Sequence, residues 1–153
     1  VIAGLGDTGV LTAIRLARRF DVVGISLNPG LVSGQELGTR LARPDDWARN
    51  YWIAFDRFRE LDRVRTVHGT VTGVDLAART VRVRDAHGSS REEGYDALVV
   101  STGVTNGFWR QAVLQSAGDV GAGLRAAHER LASARSVAVI GGGAAAVSSA
   151  AEE

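Results

Sequence analysis

Cysteine is absent from the 153 residues, which excludes disulfides, thiolate metal sites and a redox dithiol within the chain. Lysine is absent too. All 18 basic residues are arginine, set against 17 acids for a net charge of +1. The arginines are interleaved with acids, as in Asp56-Arg57-Phe58-Arg59-Glu60, whereas a nucleic-acid footprint clusters basic residues on one face. No nucleic-acid partner is expected. No run reaches the roughly 18 apolar residues of a membrane helix, and no signal peptide is visible. Methionine is missing, and only Val1, Ile2 and Ala3 precede the first glycine, fewer than the about five residues of an ordinary strand. At the other end the chain stops soon after Ala146. Both ends read as those of an internal piece of a longer protein, and such a piece is expected to be inactive alone.

Glycine, by contrast, is abundant at 19 residues, and two glycine-rich turns stand at opposite ends of the chain. The first is Gly4-Leu5-Gly6-Asp7-Thr8-Gly9; the second is Gly141-Gly142-Gly143-Ala144-Ala145-Ala146. Each follows an apolar run and precedes a small-residue helical pattern, as a turn that cradles a dinucleotide pyrophosphate does. Gly4 lets the chain reverse, Gly6 lets a pyrophosphate approach the backbone, and Gly9 lets the helix pack closely on the strand. The helix start then offers free N–H groups, those of Asp7 and Thr8 included, and a partial positive charge. Asp7 is expected to contribute backbone N–H at most, because its carboxylate repels phosphate. In the second turn Ala146 replaces the third glycine, where only close packing is demanded. Two such turns imply two dinucleotides, with electrons passed from one to the other.

Apolar periodicity places these turns. Val10 to Phe20 reads as a helix and Val22 to Leu27 as a buried parallel strand, giving one βαβ unit. Residues 31–44 read as loop, and Trp47 to Leu61 as a helix opened by Asp45 or Asp46, with its aromatics at helical spacing. Short strands follow at Val64 to Val71, Val74 to Leu76, Val81 to Arg84 and Tyr95 to Ser101. Turns fall at Asp75 to Arg79 and His87 to Ser90, and the middle strands alternate as an antiparallel meander does. Asp119 to Ala132 reads as an amphipathic helix capped by Asp119, and Ser136 to Ile140 as the strand into the second turn. The fold class is α/β: a Rossmann-like parallel sheet with helices and an antiparallel β-meander, truncated at both ends. The acid that binds a ribose about 20 residues after the first turn is missing. Ser26, Leu27 and Asn28 stand there instead, and Ser26 or Asn28 is left to bond the ribose more weakly.

Three landmarks in order, IAGLGDTG, DALVVSTGV (96–104) and VAVIGGGAAAVSSA (137–150), resemble those of the FAD-dependent pyridine nucleotide-disulfide oxidoreductases. The middle one is similar to the family's ATG motif, with Ser101 in place of alanine. Thr102 and Gly103 fall where the family's chain passes the flavin. His68 to Asp75 resembles the stretch whose backbone, near Val71, meets the FAD adenine. The resemblance implies an FAD-binding domain over 1–104 and the start of an NAD(P)-binding domain over 105–153. It implies FAD on the first turn, NAD(P)H on the second through Gly141, Gly142, Gly143, Ala144 and Ala145, and hydride passing to a quinone or other small electron acceptor. No catalytic side chain and no metal is implied.

Disulfide-reducing members carry a cysteine pair after the second strand, and Gly34 to Arg40 has none. This favours branches like type II NADH dehydrogenase, ferredoxin reductase or apoptosis-inducing factor. A flavin monooxygenase and a non-catalytic dinucleotide-binding module are the alternatives. A cytoplasmic location is expected. A homodimer or a peripheral membrane contact would be made by sequence outside the chain. His68, His87 and His128 match no metal or triad pattern and read as solvated or locally bonded. Phe108-Trp109 and Ser33-Gly34 are weaker candidates for lining a flavin.

Overall fold

Strand β2 (Val22–Ser26) is apolar on both faces and buried along most of its length, so it needs cover on two sides. Alternating side chains supply it. Val22 points into a core with Ile2, Leu5, Val10, Ala13, Phe55, Leu61 and Val64. Ile25 points the other way, against Val67, Val81 and Val83. A computed structural model describes residues 1–32, 37–104 and 112–152. It shows β2 at the interior of a four-stranded sheet with the order β5-β2-β1-β9, where β1 is Ile2–Ala3, β5 Val64–His68 and β9 Val99–Val100. All three pairings are parallel, with Ile2 opposite Gly24 and Val99, and Ser26 opposite His68. Helix α1 (Asp7–Leu16) covers one face. An antiparallel meander of β6 (Thr70–Asp75), β7 (Thr80–Arg84) and β8 (Ser90–Gly94) covers the other. This is the Rossmann-like α/β fold that the periodicity predicts.

Several boundaries differ from expectation, each for a tertiary reason. Helix α1 starts inside the glycine turn itself and ends at Leu16. The expected strand over 64–71 breaks at Gly69, whose N–H bonds Ser26 O at 2.9 Å while a Cβ there would lie 2.5 Å from Val83. The chain leaves the parallel sheet for the meander at that point. The turn before β8 is Asp85 to Ser89, because Asp85 Oδ1 accepts both the His87 and Ser89 N–H groups. β8 then begins at Ser90, where a turn residue was expected.

The expected loop over 31–44 contains β3 (Gly30–Leu31) and helix α2 (Leu37–Ala42). The expected helix over 47–61 is short: α3 (Pro44–Asn50), with Pro44 in its first turn, followed by β4 (Ile53–Ala54) and two 3-10 turns. Its aromatics serve two different cores. Trp47 packs with Val32, Leu41, Val120, Leu124 and Ala127, whereas Phe55 and Leu61 pack on α1. β4 pairs antiparallel with β3, which forces the chain out of the helix.

Helix α4 (Ala117–Ala132) buries Val120, Leu124 and Ala127 on one stripe against α2 and α3. Its N-cap is Ser116, not Asp119. Asp119 sits three residues in and bonds back to the Ser116 N–H at 2.8 Å, which completes a capping box. The fully buried Arg40 lays its guanidinium 5.6 Å from the Trp47 ring centroid. His128 Nδ1 lies 2.7 Å from Leu41 O and ties α4 to α2. Helix α5 (Ala144–Glu152) also lies against α2.

Candidate functional site

The first glycine turn is locked by contacts between distant parts of the chain. Gly4 adopts φ +104°, a conformation that L side chains avoid, and a Cβ there would lie 2.3 Å from Ser101 O. Its N–H bonds Ile25 O at 2.8 Å. Its carbonyl accepts the Ser101 hydroxyl at 2.7 Å, and the Ser101 N–H bonds Ala3 O at 2.8 Å. A Cβ on Gly9 would fall 1.9 Å from Gly4 O and 2.9 Å from Ser101 Oγ. Gly9 therefore serves the approach of α1 to this hydrogen-bonded corner. Leu5 fills the space beside Gly24, where a Cβ would meet its methyls at 2.6 Å.

Beyond that corner a cleft of about 460 Å³ opens at the carboxyl ends of β1, β2 and β9, where ligands of open α/β sheets bind. It brings together Gly4, Gly6, Asp7, Thr8, Ser26, Val71, Ser101, Thr102 and Gly103. Gly6 is the N-cap of α1 and has no side chain with which to cap it. The amides of its first turn thus lack an intrahelical acceptor and carry the positive end of the dipole to the cleft. Val71 reaches the cleft from β6, just before a register shift between Val71 and Gly73. Asn28, Thr70 and Leu27 also line it. Thr70 and Leu27 carry no motif of their own; their adjacency to Val71 and Ser26 was the available signal.

The second turn is built differently. Ser136 to Ile140 forms no strand, which corrects the expectation. A strand exists through hydrogen bonds to a neighbour, and no described segment pairs with this one; Ile140 is 96% exposed. Gly141 has φ +119° and leads to α5, but a Cβ on Gly142 or Gly143 would meet nothing within 4 Å. Gly141, Gly142, Gly143 and Ala144 do not line the first cleft. Ala145 lies in α5. Ser33, Gly34, Phe108 and Trp109 lie outside the described residues.

The Arg65, Glu93 and Arg91 side chains lie outside the cleft. Arg65 on β5 and Glu93 on β8 form a two-pronged pair, with Arg91 Nε at 3.2 Å from the same carboxylate. The Arg65 hydrogen bonds hold the Glu93 carboxyl below its ordinary value, and this pair straps the meander to the parallel sheet. The Ser116 bonds likewise lower the Asp119 carboxyl. His68 Nε2 sits 2.9 Å from Gln115 O and 3.2 Å from Leu27 O, and His87 lies in the Asp85 turn; both are locally placed. Among the described residues no group of His, Asp and Glu is arranged to hold a metal, and no helix is long and apolar enough to cross a membrane.

No family model and no curated protein sequence matches the chain. Its structure does match solved ones. NDH2 from Plasmodium falciparum aligns over 99% of this chain and 35% of its own, with a TM-score of 0.57 at 15% identity. The sulfide:quinone oxidoreductase of the hyperthermophilic bacterium Aquifex aeolicus aligns over 86% of this chain and 32% of its own, with a TM-score of 0.54 at 17% identity. At this identity the likeness is one of fold alone. The chain spans about a third of the length of either structure.

Proposed function

We propose that this chain is the FAD-binding part of an NAD(P)H-dependent flavoprotein oxidoreductase. The carrying observation is the cleft that gathers the start of α1 with Ser26, Val71 and Ser101 to Gly103. These residues fit an ADP-bearing cofactor. The positive end of the α1 dipole faces the cleft and suits a diphosphate, Gly6 at the helix start lines the cleft without a side chain, and the β2 end takes the ribose. Bound FAD supplies the hydride-accepting chemistry between NAD(P)H and a quinone or other small acceptor. The protein's own task is to hold and orient: the Gly4–Ser101 bond fixes the turn, and Thr102 and Gly103 pass the flavin. We place the domain boundary at residue 104, with NAD(P)H assigned to the second turn once a strand is supplied to Ser136–Ile140. Two structural neighbours support the reading, an NDH2 and a sulfide:quinone oxidoreductase.

The unpaired Ser136–Ile140 segment favours a second reading, an adenine-dinucleotide module without turnover. Absorption and fluorescence of the purified protein mixed with FAD separate the two. Retained flavin with quenched emission supports FAD binding, and bleaching of its bands by NADH in the full-length protein supports the oxidoreductase. A folded protein that retains no flavin would overturn the flavoprotein reading.

A further inference from the structure

The end of β2 is where the chain departs most from the resemblance, and its hydrogen bonds distinguish the two residues that stand there. Ser26 is buried and its Oγ already accepts the Asn28 N–H at 3.1 Å. The Ser26 carbonyl accepts the Gly69 N–H, and the Leu27 carbonyl accepts the Gln115 N–H, both at 2.9 Å. Asn28 differs. It lines the cleft, yet its Oδ1 is buried and has no hydrogen-bond partner among the described residues. A buried amide oxygen without a donor carries an uncompensated desolvation penalty, and a bound group that donates a proton removes it. Among the described residues lining the cleft, Asp7 alone is ionisable. It stands at the start of α1, after β1, while Asn28 follows β2. Among the described residues that follow β2 and line the cleft, none is charged.

We propose that Asn28, and not Ser26, reads the ribose of an adenine nucleotide in this cleft, and that its carboxamide accepts that ribose with its 2′-hydroxyl either free or phosphorylated. The inference rests on the reading of the cleft as an ADP site. Oδ1 accepts the proton of a free hydroxyl, and half a turn of the carboxamide presents Nδ2–H to phosphate oxygens instead. A carboxylate at this place does the first and opposes the second by like-charge repulsion.

Isothermal calorimetry on the full chain tests this, with ADP-ribose and 2′-phospho-ADP-ribose as the two ligands. Unaltered protein is expected to bind both within about threefold of each other, since none of the described residues that follow β2 and line the cleft is charged. Asn28→Asp is expected to weaken the 2′-phosphorylated ligand about tenfold or more while leaving ADP-ribose within about threefold. Asn28→Leu, which has no polar atom, is expected to weaken ADP-ribose roughly tenfold, and Ser26→Ala to leave the ratio of the two ligands unchanged. Circular dichroism confirms that each variant is folded. If ADP-ribose binds but the ratio does not respond to Asn28→Asp, or the unaltered protein already rejects the phosphorylated ligand by more than about tenfold, the proposal falls alone. If folded, unaltered protein binds neither ligand, the ADP reading of the cleft falls and takes the proposal with it.

Discussion

The two glycine-rich turns share a pattern but not a construction. At Gly4 and Gly9 an added Cβ would strike backbone at 2.3 and 1.9 Å, whereas at Gly142 and Gly143 it would meet nothing. The first turn leaves a paired strand, with Gly4 N–H on Ile25 O and Ser101 Oγ on Gly4 O. The second leaves a segment with no strand partner among the described residues, ending at the exposed Ile140. A glycine pattern thus marks a place where the backbone is free to turn. Whether that turn becomes a preorganised anion site depends on neighbours that hold it in one geometry.

The comparison breaks most visibly at Gly4. Gly4→Ala is expected to cost about 3 kcal/mol or more, through positive-φ strain and collision with Ser101, and to abolish nucleotide binding. Thermal melting followed by circular dichroism measures it, and a melting temperature near that of the parent would show the corner to be soft. Ser101→Ala removes one hydrogen bond to the Gly4 carbonyl, for an expected loss of about 1 kcal/mol in denaturant unfolding.

The strap behind the meander comes next. Because the folded Glu93 carboxyl lies below its ordinary value of 4.5, its contribution is fully present above that value. It is lost as pH falls through the lowered folded value. With Arg65 more than half exposed, screening limits this to about 1 kcal/mol. Urea titrations on either side of pH 4 would show it, and Glu93→Gln is expected to flatten that pH dependence. The smallest effect is at the second turn, where Gly142→Ala is expected to change stability by no more than about 0.5 kcal/mol. A loss comparable to that at Gly4 would mean that the second turn is locked after all.

Much of the site follows from local pattern. The spacing of Gly4, Gly6 and Gly9 between an apolar run and a helical one was enough to place the turn, because each glycine answers a local demand of backbone or packing. The bulk of β2 and β7 was visible for the same reason, their apolar residues alternating or running together. The aromatics from Trp47 to Phe58 misled because helical spacing does not say which core a side chain enters. Trp47 and Phe55 enter different ones, and β3–β4 pairing takes the chain out of the helix between them. Nor did the spacing of Ser26 and Asn28 reveal which carries a buried acceptor that meets no donor among the described residues; that one is Asn28 Oδ1, whereas Ser26 Oγ accepts the Asn28 N–H.

Residue order by itself determined the α/β class, the βαβ start and the place of the first glycine turn, because strand and helix periods and glycine's missing Cβ act over a few residues. Tertiary structure decided that Ser101 closes on Gly4 across 97 positions, that Gly69 diverts the chain into the meander, and that one turn is braced while the other is not. Those outcomes depend on hydrogen bonds and steric contacts between segments far apart in sequence, which no local period encodes.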